Sequence, residues 1–79
     1  MDDFIHIDLK LFATLADKTP PEADRFPVPR GSTVGQVLEK LGMTPETAKL
    51  IFVNGVRQPL DYRLHDGDRV GIFPPIGGG

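Results

Sequence analysis

Ile5, Ile7, Leu9 and Leu11 alternate with His6, Asp8, Lys10 and Phe12. A period of two over this stretch predicts a β-strand with one buried face. Phe12 breaks the pattern, because it falls on the polar side. Thr14, Asp17, Thr19, Pro20, Pro21 and Glu22 predict a loop, with one helical turn around Leu15 and Ala16. Asp24 to Pro29 predicts a second strand with Phe26 and Val28 on one face. Pro27 and Pro29 have no N–H to donate, which places this strand at a sheet edge. The two strands form a hairpin with a long connection.

Thr33 and Gln36 fit a capping box, in which each side chain satisfies the other residue's backbone N–H. Val34, Val37, Leu38 and Leu41 follow at the spacing of one helical face, with Gln36, Glu39 and Lys40 on the wet side. Gly42 stops the helix after about nine residues. Thr44 and Pro45 open a turn or 3₁₀ segment through Ala48. Leu50 to Val53 is a short apolar run that predicts an interior strand. Asn54-Gly55 is a strong hairpin signal, since both residues tolerate positive φ. The return strand starts at Val56 and is cut short by Pro59. Leu60 and Leu64 are expected in the core under a long turn. Asp66-Gly67-Asp68 makes a tight turn into a last strand, Arg69 to Phe73, with Val70 and Ile72 facing inward.

Strand, strand, helix, strand, short strand, strand is the order of an α+β roll of the β-grasp type. The expectation is a mixed sheet of about four to five strands crossed by one main helix. In that fold type the first and last strands are parallel neighbours at the sheet centre. Residues 1–73 form the domain, and 74–79 are a flexible glycine-rich tail.

Composition narrows the function. A chain of 79 residues is one small domain. It buries one modest core, with little left for a deep enclosed active site. Composition therefore disfavours a self-sufficient enzyme of any complexity. The absence of cysteine excludes disulfides, zinc–thiolate sites and a cysteine nucleophile. The nine basic residues are scattered along a chain of net charge −2, so no nucleic-acid partner is expected. The acidic start, Met1-Asp2-Asp3, does not read as a signal peptide. No apolar run approaches the roughly 18–20 residues of a membrane span. The expected setting is cytoplasmic, without a membrane partner. His6 and His65 lack metal-ligand spacing, and Asp66-Gly67-Asp68 lacks the rest of a calcium loop, so no metal site is expected.

The terminus carries the candidate chemistry. Pro74 and Pro75 stiffen the exit from the last strand, and Gly77-Gly78-Gly79 follow Ile76. The residues after Phe73 reach roughly 20 Å when extended. Without side chains, such a tail can thread a narrow tunnel to a partner's catalytic site. A passive linker is the competing reading of the tail alone.

The chain resembles the MoaD/ThiS group of ubiquitin-like sulfur carriers. The matching segments are Leu11-Phe12-Ala13, Thr33-Val34 with Leu38 and Leu41, Val53-Asn54-Gly55, Leu64 with Asp66-Gly67-Asp68, and Phe73-Pro74-Pro75 with Gly78-Gly79. The resemblance implies that a ubiquitin-activating-type adenylyltransferase uses ATP to adenylate Gly79. A persulfide or sulfide donor then leaves a thiocarboxylate for sulfur transfer, in molybdopterin, tungstopterin or thiamine biosynthesis among others. It implies that Gly77 and Gly78 thread the tail, and that no cofactor is bound by the carrier itself. A large synthase subunit is a further implied partner. Phe12 and Phe73, both out of phase with their strands, are candidate docking residues with Pro74, Pro75 and Ile76. Arg57 replaces an apolar residue of the molybdopterin branch, which points to a partner surface of its own. A ubiquitin-like modifier joined through Gly79 and a plain interaction module remain alternatives.

Overall fold

The computed structural model describes residues 3–75. The expectations placed on Ile76, Gly77, Gly78 and Gly79 lie outside the described residues. Strand β1 spans Phe4–Leu11, β2 Phe26–Pro29, β3 Leu50–Val53, β4 Val56–Arg57 and β5 Arg69–Phe73. Helix α1 spans Val34–Lys40, and 3₁₀ turns cover Ala13–Lys18 and Ala23–Arg25. The sheet order is β2-β1-β5-β3-β4.

β1 runs antiparallel to β2 and parallel to β5, and β5 runs antiparallel to β3. Register lines up the apolar residues of the inner face. Ile5 faces Val28, Leu9 and Val53 flank Val70, and Leu11 and Ile51 flank Ile72. Val34, Val37 and Leu38 of α1 close over these rows in one continuous core. Burying each such side chain contributes about 1.5–3 kcal/mol. One helix packed across a mixed sheet with β1 and β5 parallel at its middle is the β-grasp roll expected from the element order.

Both helix ends are capped. Thr33 and Gln36 form the capping box in both directions. The N–H groups of Val34 and Gly35, which have no partner within the helix, donate to the carbonyls of Tyr62 and Leu60 at 3.0 and 2.8 Å. At the other end, Met43 N–H donates to Leu38 O and Gly42 N–H to Glu39 O. This pair of bonds is a Schellman closure, and it requires the positive φ of +73° that Gly42 adopts. The helix is therefore seven residues long, not nine. Leu41 becomes its half-buried C-cap.

Two local expectations need correction. Leu60 is 41% exposed and lies outside the core, whereas Leu64 is buried at 3%. The cause is the Leu60 carbonyl, which is committed to Gly35 N–H and leaves the side chain lying over the helix surface. Of the two forms expected for residues 44–48, the hydrogen-bonded turn is the one present, with Ala48 N–H donating to Thr44 O. β2 begins at Phe26, because Ala23–Arg25 is still a 3₁₀ turn.

The Asn54-Gly55 and Asp66-Gly67-Asp68 turns are bonded to each other. Asn54 Nδ2 donates to Asp68 Oδ1 at 2.9 Å, and Asn54 Oδ1 accepts from Arg69 N–H at 3.0 Å. Asp68 Oδ2 accepts from His65 N–H, and Asp66 Oδ1 from His6 N–H, both at 2.8 Å. The start of β5 is thus fastened to β1 on one side and to the β3–β4 hairpin on the other. Asn54 holds φ +53°, which its short polar side chain tolerates.

Chemical denaturation tests both readings. Leu64→Ala is expected to lower stability by about 2–5 kcal/mol, and Leu60→Ser by no more than about 0.5 kcal/mol. Asp68→Ala strands the Asn54 amide and His65 N–H, with an expected loss of about 2–3 kcal/mol. Asn54→Gly keeps the backbone conformation and removes only the side-chain bonds, so it is expected to cost about half as much. Equal losses for the two would make backbone strain, not the bond network, the source of stability.

Candidate functional site

Alternation puts Asp8 and Lys10 of β1, Arg69, Gly71 and Phe73 of β5 and Phe52 of β3 on the face opposite the helix. Phe12 extends β1, with its N–H bonded to Ile72 O at 3.0 Å. The chain then turns at once through Ala13, which adopts φ +55°. That left-handed geometry is unfavourable for alanine. It redirects the chain beside the ring of Phe12.

Phe12 and Phe73 stack face to face, with centroids 4.3 Å apart and planes within 2°. Phe52 meets Phe73 edge-on at 5.7 Å and 84°. Such pairs add about 0.5–1.5 kcal/mol beyond the area they bury. Here they also leave aromatic surface in water, with Phe12 38% exposed. Gly71 lies under the rings. A Cβ at Gly71 would meet Phe12 Cε2 at 3.3 Å and Phe73 Cε1 at 3.7 Å. A glycine inside a strand weakens it, and often marks the close approach of another group. Here the bare backbone floors a groove of about 350 Å³, walled by Phe12, Phe52 and Phe73.

The groove's other lining residues include Asp8, Lys10 and Arg69. Lys10 and Arg69 are exposed, while Asp8 is half-buried. Asp8 Oδ1 is buried without a hydrogen-bond partner among the described residues. Arg57 stands opposite Phe52 in the β3–β4 register and is exposed, but it does not line the groove. It borders a separate hollow with Pro45 and Leu60. Pro74 is half-buried and Pro75 exposed, directly after Phe73.

The structure therefore brings Phe12 and Phe73 together at the exit of β5, and sets Arg57 apart on the far side of Phe52. Sequence reasoning missed Phe52 and Gly71. Alternation within Leu50–Val53 was a usable signal for Phe52, since Ile51 and Val53 are the buried pair. Gly71 had only the weak signal of a glycine between Val70 and Ile72. Among the described residues, no cluster of His, Cys, Asp and Glu can hold a metal, and no helix is long and apolar enough to cross a membrane. The arrangement is a partly exposed aromatic groove on the sheet face, at the end of β5.

Comparisons with known proteins agree on the architecture. The HVO 2177 protein of Haloferax volcanii, known from a solution structure, superposes with TM-score 0.79 over 100% of this chain and 91% of its own, at 24% identity. The small archaeal modifier protein 1 of H. volcanii gives 0.68 over 91% of this chain and 99% of its own, also at 24% identity. A Pyrococcus furiosus protein described as molybdopterin converting factor, subunit 1, gives 0.68 over 91% and 99%, at 26% identity. No curated protein matches the chain. The ThiS family model matches residues 9–79. That span runs from the end of β1 through the helix, both bonded turns, the three groove phenylalanines and the glycine terminus, and the chain accordingly belongs to the ThiS family, the MoaD/ThiS group of ubiquitin-like small carrier proteins.

Proposed function

We propose that this protein carries sulfur as a thiocarboxylate on Gly79. The observation behind this reading is the position of the aromatic groove. β5 ends at Phe73, a wall of the groove, so the segment 74–79 departs from the recognition surface itself. A partner that covers Phe12 and Phe73 has the chain terminus beside it. Roughly 20 Å of extended chain is available to reach a catalytic centre.

The chemistry is that of an activated acyl group. A carboxylate is a poor electrophile. In the proposed cycle a ubiquitin-activating-type adenylyltransferase lets the Gly79 carboxylate attack the α-phosphate of ATP, with release of pyrophosphate. Sulfide then adds to the acyl carbon and AMP leaves, giving the thiocarboxylate. A persulfide donor gives an acyl disulfide first, which a second thiol reduces. The carrier supplies the acyl terminus and the docking face, and the enzymes supply the acid–base chemistry. Gly77 and Gly78 serve the threading step, since a side chain there would widen the segment. Phe12, Phe73, Pro74, Pro75 and Ile76 form the proposed contact, with Arg57 at its periphery. Family membership over residues 9–79 supports this reading. The similarity to a protein described as a molybdopterin converting factor subunit favours a large synthase subunit as the later partner. The working compartment is proposed to be the cytoplasm.

A modifier reading shares the activation step and ends in an isopeptide bond between Gly79 and a target lysine. The fold shared with a protein named small archaeal modifier protein 1 raises it.

Intact-mass analysis of the protein recovered from its own cells separates these outcomes. The carrier reading expects a fraction in which one oxygen is replaced by sulfur, localised to Gly79 and absent after deletion of Gly79. Lysine-linked adducts without any thiocarboxylate would select the modifier. A free carboxylate in every molecule, unchanged by ATP and the activating enzyme, would refute both.

A further inference from the structure

We propose that Asn54 is a site of spontaneous deamidation that the folded chain holds shut through the bonds of its side chain to Asp68 and Arg69, and that its conversion to aspartate or isoaspartate unfastens the start of β5. The proposal goes beyond the carrier reading and does not depend on it.

Asn54 is the single asparagine of the chain, and glycine follows it. Asparagine is a thermolabile residue. Glycine leaves the backbone nitrogen after it unscreened by any side chain. In the reaction the Gly55 nitrogen attacks Asn54 Cγ and gives up its proton. The Cγ–Nδ2 bond breaks and ammonia leaves. Water then opens the resulting succinimide at either carbonyl, giving aspartate or isoaspartate. One water is consumed and one ammonia released, with no change of oxidation state.

The turn itself hinders this attack little. Asn54 and Gly55 are exposed and both hold positive φ. Nothing stands within 4 Å of where a Gly55 Cβ would lie. Among the described residues, no backbone hydrogen bond holds the Gly55 N–H. The resistance comes from the amide's own partners. Nδ2 donates to Asp68 Oδ1 at 2.9 Å, and Oδ1 accepts from Arg69 N–H at 3.0 Å. Asp68 is itself fixed, only 8% exposed and bonded to His65 N–H. Swinging Cγ onto the Gly55 nitrogen gives up both amide bonds, so the reaction waits on a local opening. Asp66-Gly67 can close the same ring with loss of water, but there the attacking nitrogen is occupied, since Gly67 N–H donates to His6 O at 2.8 Å.

The product reverses the contact. Aspartate at position 54 has no hydrogen to give Asp68 Oδ1, so two carboxylates face each other where a donor faced an acceptor. Isoaspartate also adds a methylene to the backbone of a two-residue turn, out of step with the Val53–Val56 pairing.

The test incubates the full chain, folded and in denaturant, in one mildly alkaline buffer. Peptide mapping reads the mass gain at position 54. After digestion, methyl transfer from S-adenosylmethionine by a protein isoaspartyl methyltransferase counts isoaspartate. Folded wild type is expected to react about tenfold or more slowly than unfolded wild type. Asp68→Ala should close most of that gap when folded and match wild type when unfolded. Leu38→Ala, in the helix core, lowers global stability without touching the Asn54 bonds and should leave the folded rate unchanged. Equal folded and unfolded rates for wild type, or a folded Asp68→Ala as slow as wild type, overturn the proposal. Acceleration by Leu38→Ala as large as that by Asp68→Ala assigns the reaction to global unfolding and overturns it too. If Asp68→Ala does not fold, Asp68→Asn takes its place, with one oxygen for two donors. Asn54→Asp reads the consequence directly: its unfolding midpoint is expected below those of wild type and of Asn54→Gly, and a midpoint equal to wild type overturns the unfastening of β5.

Discussion

The parallel pairing of β1 with β5 is the constraint on which the rest depends. These strands come from opposite ends of the chain, residues 4–11 and 69–73. Joining them closes nearly the whole polypeptide into one loop, an entropic cost that grows only slowly with loop length. In return, each strand acquires neighbours on both sides. Their inner residues, from Ile7 to Ile72, then meet α1 as one surface. The same pairing makes Phe12 and Phe73 neighbours on the outer surface. Core and aromatic groove are two faces of a single ladder.

The sheet's edges are protected in different ways. β2 carries Pro27 and Pro29, and β4 is only two residues long. Neither offers a long row of free backbone groups to another chain. The sheet face is different, since Gly71 has no side chain there and the rings stand around the gap. A strand glycine sacrifices stability. Here that loss is offset by packing between the rings and by bonds at the strand's other end, where Asp68, Asn54 and His65 hold β5 in place. The fastening lies at the start of β5 and the groove toward its end. The chain terminus thus leaves from a strand that is fixed on both flanks.

A small domain can bury one side of a sheet with one helix, and little more. The uncovered side must then be made soluble or be used. Lys10, Arg57 and Arg69 serve solubility, and the aromatic rings between them supply apolar surface.

The sequence determined the local structure well, because local structure follows from neighbours along the chain. Alternation in Ile5–Leu11, the Thr33–Gln36 capping box, the stop at Gly42 and the turn at Asn54-Gly55 all depend on residues within a few positions of one another. Pro27 and Pro29 were enough to place β2 at an edge. Phe12 and Phe73 were recognisable as anomalies of phase. What they do with each other was decided only by the tertiary structure, since they stack across some sixty residues of chain. The same holds for Leu60. Its apolar character predicted burial, but its carbonyl was needed by the helix N-terminus, and the hydrogen bond took precedence over the side chain. The link between Asn54 and Asp68 was also invisible, because each turn is sufficient by itself as a local motif. Gly71 is the clearest case. As a sequence feature it only weakens a strand, and its meaning as the floor of a groove exists only once three rings from three strands are arranged above it.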